Sequence, residues 1–136
     1  MDKRPDFAEA LRRFLGSISS RDLDAYRSAI TKNHVLYTII QSGHAFSTRD
    51  ELLAMHEEWF KDKQWTWNGS VVHTVVGEDM ALALIRYEYR SGEQDEPFST
   101  WLTYVFRLED NEWRLIHDHN TAVDFHAFAR SARLDR

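Results

Sequence analysis

The sequence predicts an α+β domain: three N-terminal helices packed against a mainly antiparallel sheet. Apolar residues recur at helical spacing through the first part of the chain, and from Gln64 onward the period changes from 3.6 to 2. After that change come four long strand-like stretches in meander order, joined by short polar links. The chain has 136 residues, 43% of them apolar, with only 5 Gly and 2 Pro. That suffices for one core, and no linker, repeat or low-complexity stretch divides it. A single domain over 1–136 is expected, with its core at about 6–121 and a tail at 122–136 that is a short helix or a loose end.

The elements follow in order. Over 5–18, Phe7, Leu11, Phe14, Leu15 and Ile18 share one helical face, and Pro5 suits a first turn. Ser20 opens a second helix with Asp22 in its first turn, where the dipole favours an acid, and with Leu23, Tyr26 and Ile30 on its buried side. The β-branched run at 34–40 reads as a strand, Ser42-Gly43 as a tight turn and 44–46 as a short return strand. Thr48 and Glu51 have capping-box spacing for a third helix, whose apolar face carries Leu52, Leu53, His56, Trp59 and Phe60. Strands are expected at 65–76, 80–90, 98–108 and 113–121. Large apolar groups occupy both faces of these strands, so the second face is expected to meet something too, such as a partner subunit.

Composition narrows the function classes. With 17 basic against 22 acidic residues the net charge is −5, and no Lys/Arg block marks a nucleic-acid surface. The absence of cysteine excludes disulfides, thiolate metal sites and Cys nucleophiles. No apolar run approaches the roughly 18 residues of a membrane span. The start of the chain, MDKRPDFAEALRRF, is charged and amphipathic, without the apolar region of a secretory signal. A cytoplasmic domain is expected, with neither nucleic acid nor membrane as partner.

The element order, the stretch SRDLDAY at 20–26 and the last strand WRLIHDHNT at 113–121 resemble the SnoaL-like branch of the nuclear transport factor 2-like superfamily. The likeness spans about 6–121. It implies a cone-shaped α+β fold: a strongly curved sheet wraps the helices, a pocket lies in the concavity, and a homodimer commonly forms through the sheet. Relatives include ketosteroid isomerases, polyketide cyclases, dehydratases, epoxide hydrolases, calmodulin-kinase association domains and metal-free carbonic anhydrases, so the fold alone assigns no activity.

Within that frame, His117 and His119 stand two apart on the last strand, so their imidazoles share a face, in phase with Trp113 and Leu115. Histidine exchanges protons near neutral pH, and partial burial would leave a neutral base. Tyr37 and Tyr104 lie in apolar strand stretches and suit oxyanion donation, and Arg86 follows two apolar residues on its strand face. These five are the candidate catalytic residues. Trp59, Trp101, Trp113 and His56 are expected to line the pocket. Asp118 and Asn120 alternate to the opposite face from the histidines; Asp118 is expected at the surface or a dimer interface, and only a twist or bulge of the sheet would let it orient a histidine. Steroid-type isomerisation is disfavoured, because the long strands carry no mid-strand acid besides Glu88 and Asp118. His117 and His119 also form a two-ligand claw, but nothing singles out a third ligand among His34, His73 and Glu88, and no metal or other cofactor is expected.

The expected function is therefore a cofactor-independent isomerase, cyclase or dehydratase acting on a small apolar carbonyl compound. Two alternatives stay open: a non-catalytic dimeric ligand-binding or association module, and metal-free hydration of carbon dioxide or a similar electrophile.

Overall fold

The computed structural model describes residues 4–32 and 36–121. His34, the start of the predicted 34–40 strand and the tail at 122–136 lie outside the described residues. The helices are α1 (Phe7–Ser19), α2 (Leu23–Ser28) and α3 (Arg49–Lys61), and the strands are β1 (Tyr37–Ile39), β2 (Ala45–Phe46), β3 (Thr66–Val76), β4 (Met80–Arg90), β5 (Phe98–Glu109) and β6 (Glu112–Asn120). Asp22 is the N-cap of α2 rather than a first-turn residue; its carboxylate accepts the Ala25 N–H at 3.1 Å. Thr48 caps α3 as its spacing predicts: its hydroxyl oxygen accepts the Glu51 N–H at 3.2 Å and its O–H donates to the Glu51 carboxylate at 2.9 Å. No helix among the described residues is long and apolar enough to cross a membrane.

The six strands form one sheet in the order β2-β1-β6-β5-β4-β3. Every pairing is antiparallel except β1 against β6, which is parallel. The helices cover the inner face. There Phe14 packs edge-on against Tyr104 and Phe106, with ring centroids 5.0 and 5.3 Å away, and stacks on Tyr26. These rings, with Leu11, Ile30, Leu52, Ile85 and Leu115, are removed from water. Their burial is the dominant favourable contribution to folding. The outer face of the same sheet exposes Val75, Leu82 and Trp101.

Two β-bulges shape what this sheet presents. In β3 the register slips between Val71 and His73. In β6, His117 pairs with Val105 while Leu115 pairs with Phe106, so Ile116 is the extra residue. A bulge bends its strand and inverts the inward–outward alternation beyond it. Trp113 and Leu115 therefore face the core, yet His117 and His119 face outward, and Asp118 and Asn120 turn inward. The sequence expectation of one continuous Trp-Leu-His-His face fails at Ile116.

Gly69 serves the inner face by close approach. A Cβ there would lie 2.7 Å from the Trp67 ring and 3.3 Å from Ile85. Its absence lets Trp67 lie flat along β3 and stack on Tyr87 at 5.4 Å, which sets one wall of the cavity described next.

Candidate functional site

Between the helices and the inner face of the sheet is an open cavity of about 460 Å³. Ile18 of α1 and Met55, His56 and Trp59 of α3 form its helical side. Trp67, Tyr89, Phe98, Leu102, Tyr104, Asp118 and Asn120 form the sheet side, and Ile40 and Gln41 of the β1–β2 turn complete it. Among the described residues the lining contains no lysine or arginine. A mostly apolar concavity with a few convergent polar groups is the usual form of a small-molecule site.

The polar groups converge on Asp118, which is buried. Its Oδ1 accepts from Asn120 Nδ2 at 3.0 Å. Burial pushes its carboxyl up to about 8 against an ordinary 3.8, with the Asn120 amide pulling the other way. Tyr104 stands directly opposite Asp118 across the β5–β6 ladder, and opposed residues on one face are in side-chain reach. Desolvation, and then the Asp118 charge, raises the Tyr104 hydroxyl well above 10.0, so it remains a donor at any physiological pH. The His56 ring stacks on Tyr26 at 4.0 Å. Its Nδ1–H donates to the Leu52 carbonyl at 3.0 Å, which leaves Nε2 as an acceptor. Burial lowers His56 from 6.5 to about 4. At neutral pH the site thus presents a mainly protonated carboxyl, a phenol and an uncharged imidazole.

Of the residues singled out from sequence, Tyr104, His56 and Trp59 line this cavity. The structure does not bring the others to it. His117 and His119 lie on the outer face with ring centroids 6.1 Å apart, and partial burial holds the His117 imidazole below its ordinary value. Tyr37, 56% exposed, pairs with His117 on that face. Arg86 holds its guanidinium 4.7 Å over the ring of Trp101, and both belong to the outer face. Trp113 sits at the far end of the core, edge-on to Phe7 at 5.3 Å, its Nε1–H donating to the Pro5 carbonyl at 2.8 Å. All six corrections trace to strand phase or to depth in the core. Among the described residues no group of three or more His, Asp or Glu is placed to hold a metal ion.

The site residues that sequence reasoning missed are Asp118, Asn120, Gln41, Trp67, Tyr89 and Phe98. The apolar pair Leu115-Ile116 interrupts the alternation of β6 and is the trace that the bulge leaves in the sequence.

A profile of the SnoaL-like domain matches residues 8–132. The chain belongs to the SnoaL-like domain family. Solved structures similar to this SnoaL-like domain share its fold at low identity. One is a candidate calcium/calmodulin-dependent protein kinase type II association domain from Thiobacillus denitrificans (17% identical, TM-score 0.76, covering 91% of this chain and 100% of that one). A second is a candidate dehydratase of the nuclear transport factor 2-like family from Streptomyces avermitilis (19%, 0.75, 86% and 93%). A third is a candidate ketosteroid isomerase from Shewanella frigidimarina (14%, 0.71, 83% and 92%). No curated protein matches the sequence. Over its described residues the SnoaL-like domain thus has the α+β architecture expected of it, three helices against a six-stranded mixed sheet.

Proposed function

We propose that this SnoaL-like domain is a cofactor-independent enzyme that moves protons on an uncharged, apolar, carbonyl-bearing substrate, within the isomerase, cyclase or dehydratase class. The observation that carries the reading is Asp118, a carboxyl buried in an aromatic cavity and titrating near 8. Proton transfer is fastest when the acid–base group titrates near the working pH. In its ionised form Asp118 accepts a proton from the carbon next to the substrate carbonyl. The electron pair left behind moves onto the carbonyl oxygen, and the Tyr104 hydroxyl donates a hydrogen bond to that developing oxyanion. Asp118 then returns the proton to another carbon of the conjugated system, or to a departing hydroxyl, which leaves as water. Both groups are buried, and a low-dielectric surrounding strengthens both interactions.

The likenesses to a candidate dehydratase and a candidate ketosteroid isomerase support this class. The test follows hydrogen–deuterium exchange at the α-carbon of 2-tetralone in D2O by NMR, with and without protein. Accelerated exchange that depends on Asp118 supports the reading, and exchange at the uncatalysed rate at saturating probe opposes it. In the same assay His117→Ala and His119→Ala are expected to leave the rate unchanged, since both rings lie on the outer face; a large loss in either returns the chemistry to those histidines.

A second reading, a ligand-binding or association module, draws on the likeness to the kinase association domain. It predicts quenching of Trp59 and Trp67 fluorescence by 2-tetralone with no exchange. In either reading we propose that the outer face meets a second copy of the chain. Val75, Leu82 and Trp101 are 57%, 38% and 40% exposed there, and contiguous apolar surface marks an interaction site. Light scattering is expected to show a dimer that Leu82→Arg converts to monomer; a monomeric wild-type chain at micromolar concentration would refute this.

A further inference from the structure

We infer that Gln41, Tyr87 and Asn120 form a one-directional hydrogen-bond relay that holds the Asp118 carboxyl for proton transfer, with Gln41 and Tyr87 as positioning residues. The inference rests on Asp118 being the proton-transfer group.

The polarity of the chain follows from the atoms. Asn120 Nδ2 lies 3.0 Å from the Ile39 carbonyl, which only accepts, and 3.0 Å from Asp118 Oδ1. Both amide hydrogens are therefore assigned, and the amide cannot be turned over. Asn120 Oδ1 is then an acceptor, and the single hydrogen of the Tyr87 hydroxyl points to it at 3.3 Å. With that hydrogen committed, the Tyr87 oxygen accepts from Gln41 Nε2 at 2.6 Å. Each donor polarises the next along such a chain, so the whole relay favours the ionised form of Asp118 against burial.

Tyr87 is buried and its ring stacks on Trp67 rather than lining the cavity, so its hydroxyl serves the relay and not a ligand. Gln41 borders the cavity at the β1–β2 turn, which puts the start of the relay within reach of whatever binds. Among the described residues, the other groups packed around Asp118 carry no competing charge at neutral pH. Tyr26 of α2 and Tyr104 of β5 stay protonated, His56 of α3 stays neutral, and Thr38 lies opposite on β1.

The test is carboxyl-carbon NMR on protein labelled with ¹³C-Asp, the Asp118 signal being assigned by its loss in Asp118→Asn. Tyr87→Phe keeps the ring against Trp67 and removes only the hydroxyl. It is expected to raise the Asp118 midpoint by roughly half a pH unit or more, and the pH profile of tetralone exchange should move with it. Gln41→Leu, at the partly exposed end, is expected to shift the midpoint in the same direction by less, and it decides the matter should Tyr87→Phe fail to fold. An Asp118 midpoint that is high in the wild type but unmoved in folded variants overturns the relay alone. A wild-type midpoint in the ordinary carboxylate range overturns the proton-transfer reading beneath it.

Discussion

Asp118→Asn is expected to lower α-proton exchange by about 10²- to 10⁴-fold, the usual contribution of a positioned acid–base group. The amide matches the carboxyl in shape and still accepts from Asn120, so the domain should stay folded and still bind 2-tetralone. The loss should therefore appear in turnover and not in affinity. The pH profile adds a sharper signature. When Asp118 acts as the base, the wild-type rate follows its carboxylate fraction, rising with pH and levelling above about 8, where the carboxyl is ionised. When a dehydration requires the protonated acid, the rate instead falls through the same value. Either limb placed near 8 supports Asp118. A profile that breaks in the ordinary carboxylate range, or a variant that exchanges as fast as wild type, eliminates it.

The second large effect is on stability. Unfolded, Asp118 releases its proton near 3.8; folded, it keeps it to about 8. Between those values the folded state holds the extra proton, so stability falls as pH rises. His56 acts in the opposite sense: it takes up its proton near 6.5 unfolded but only near 4 folded. Between 4 and 6.5 the unfolded state therefore holds the extra proton, and stability rises with pH. Across that shared window the two slopes oppose each other, at about 1.4 kcal/mol per pH unit each. Above 6.5 the Asp118 slope dominates, and stability should decline by on the order of 1 kcal/mol on reaching pH 8. Urea midpoints across pH 4–9 check this. In Asp118→Asn the decline above 6.5 should vanish and the His56 rise below it should stand alone. A wild-type-minus-variant difference that is flat with pH would show Asp118 ionising as an ordinary surface acid.

Both effects arise from residues whose positions were unevenly legible. The helix faces, the capping box at Thr48 and the four long strands were readable because each depends on local periodicity or on groups a few residues apart. Tyr104, His56 and Trp59 line the cavity for the same reason: each lies in an uninterrupted period, so the face it shares with its neighbours is the face it keeps. The β6 histidines were misplaced because a single inserted residue, Ile116, reverses the side of every residue after it. Its favourable geometry comes from the pairing with β5, which is remote in the sequence.

The amino-acid order by itself determined the class of the fold and the division of the chain into a helical part and a sheet. It also determined the aromatic and apolar residues that would make one core, since hydrophobic periodicity is a property of neighbours along the chain. The tertiary structure decided which face of β6 looks into the cavity. It alone buried Asp118 opposite Tyr104 and linked it through Asn120 to Tyr87 and Gln41. A carboxylate is an ordinary surface acid in the sequence; only burial on the inner face of the sheet raises the Asp118 carboxyl toward neutral pH.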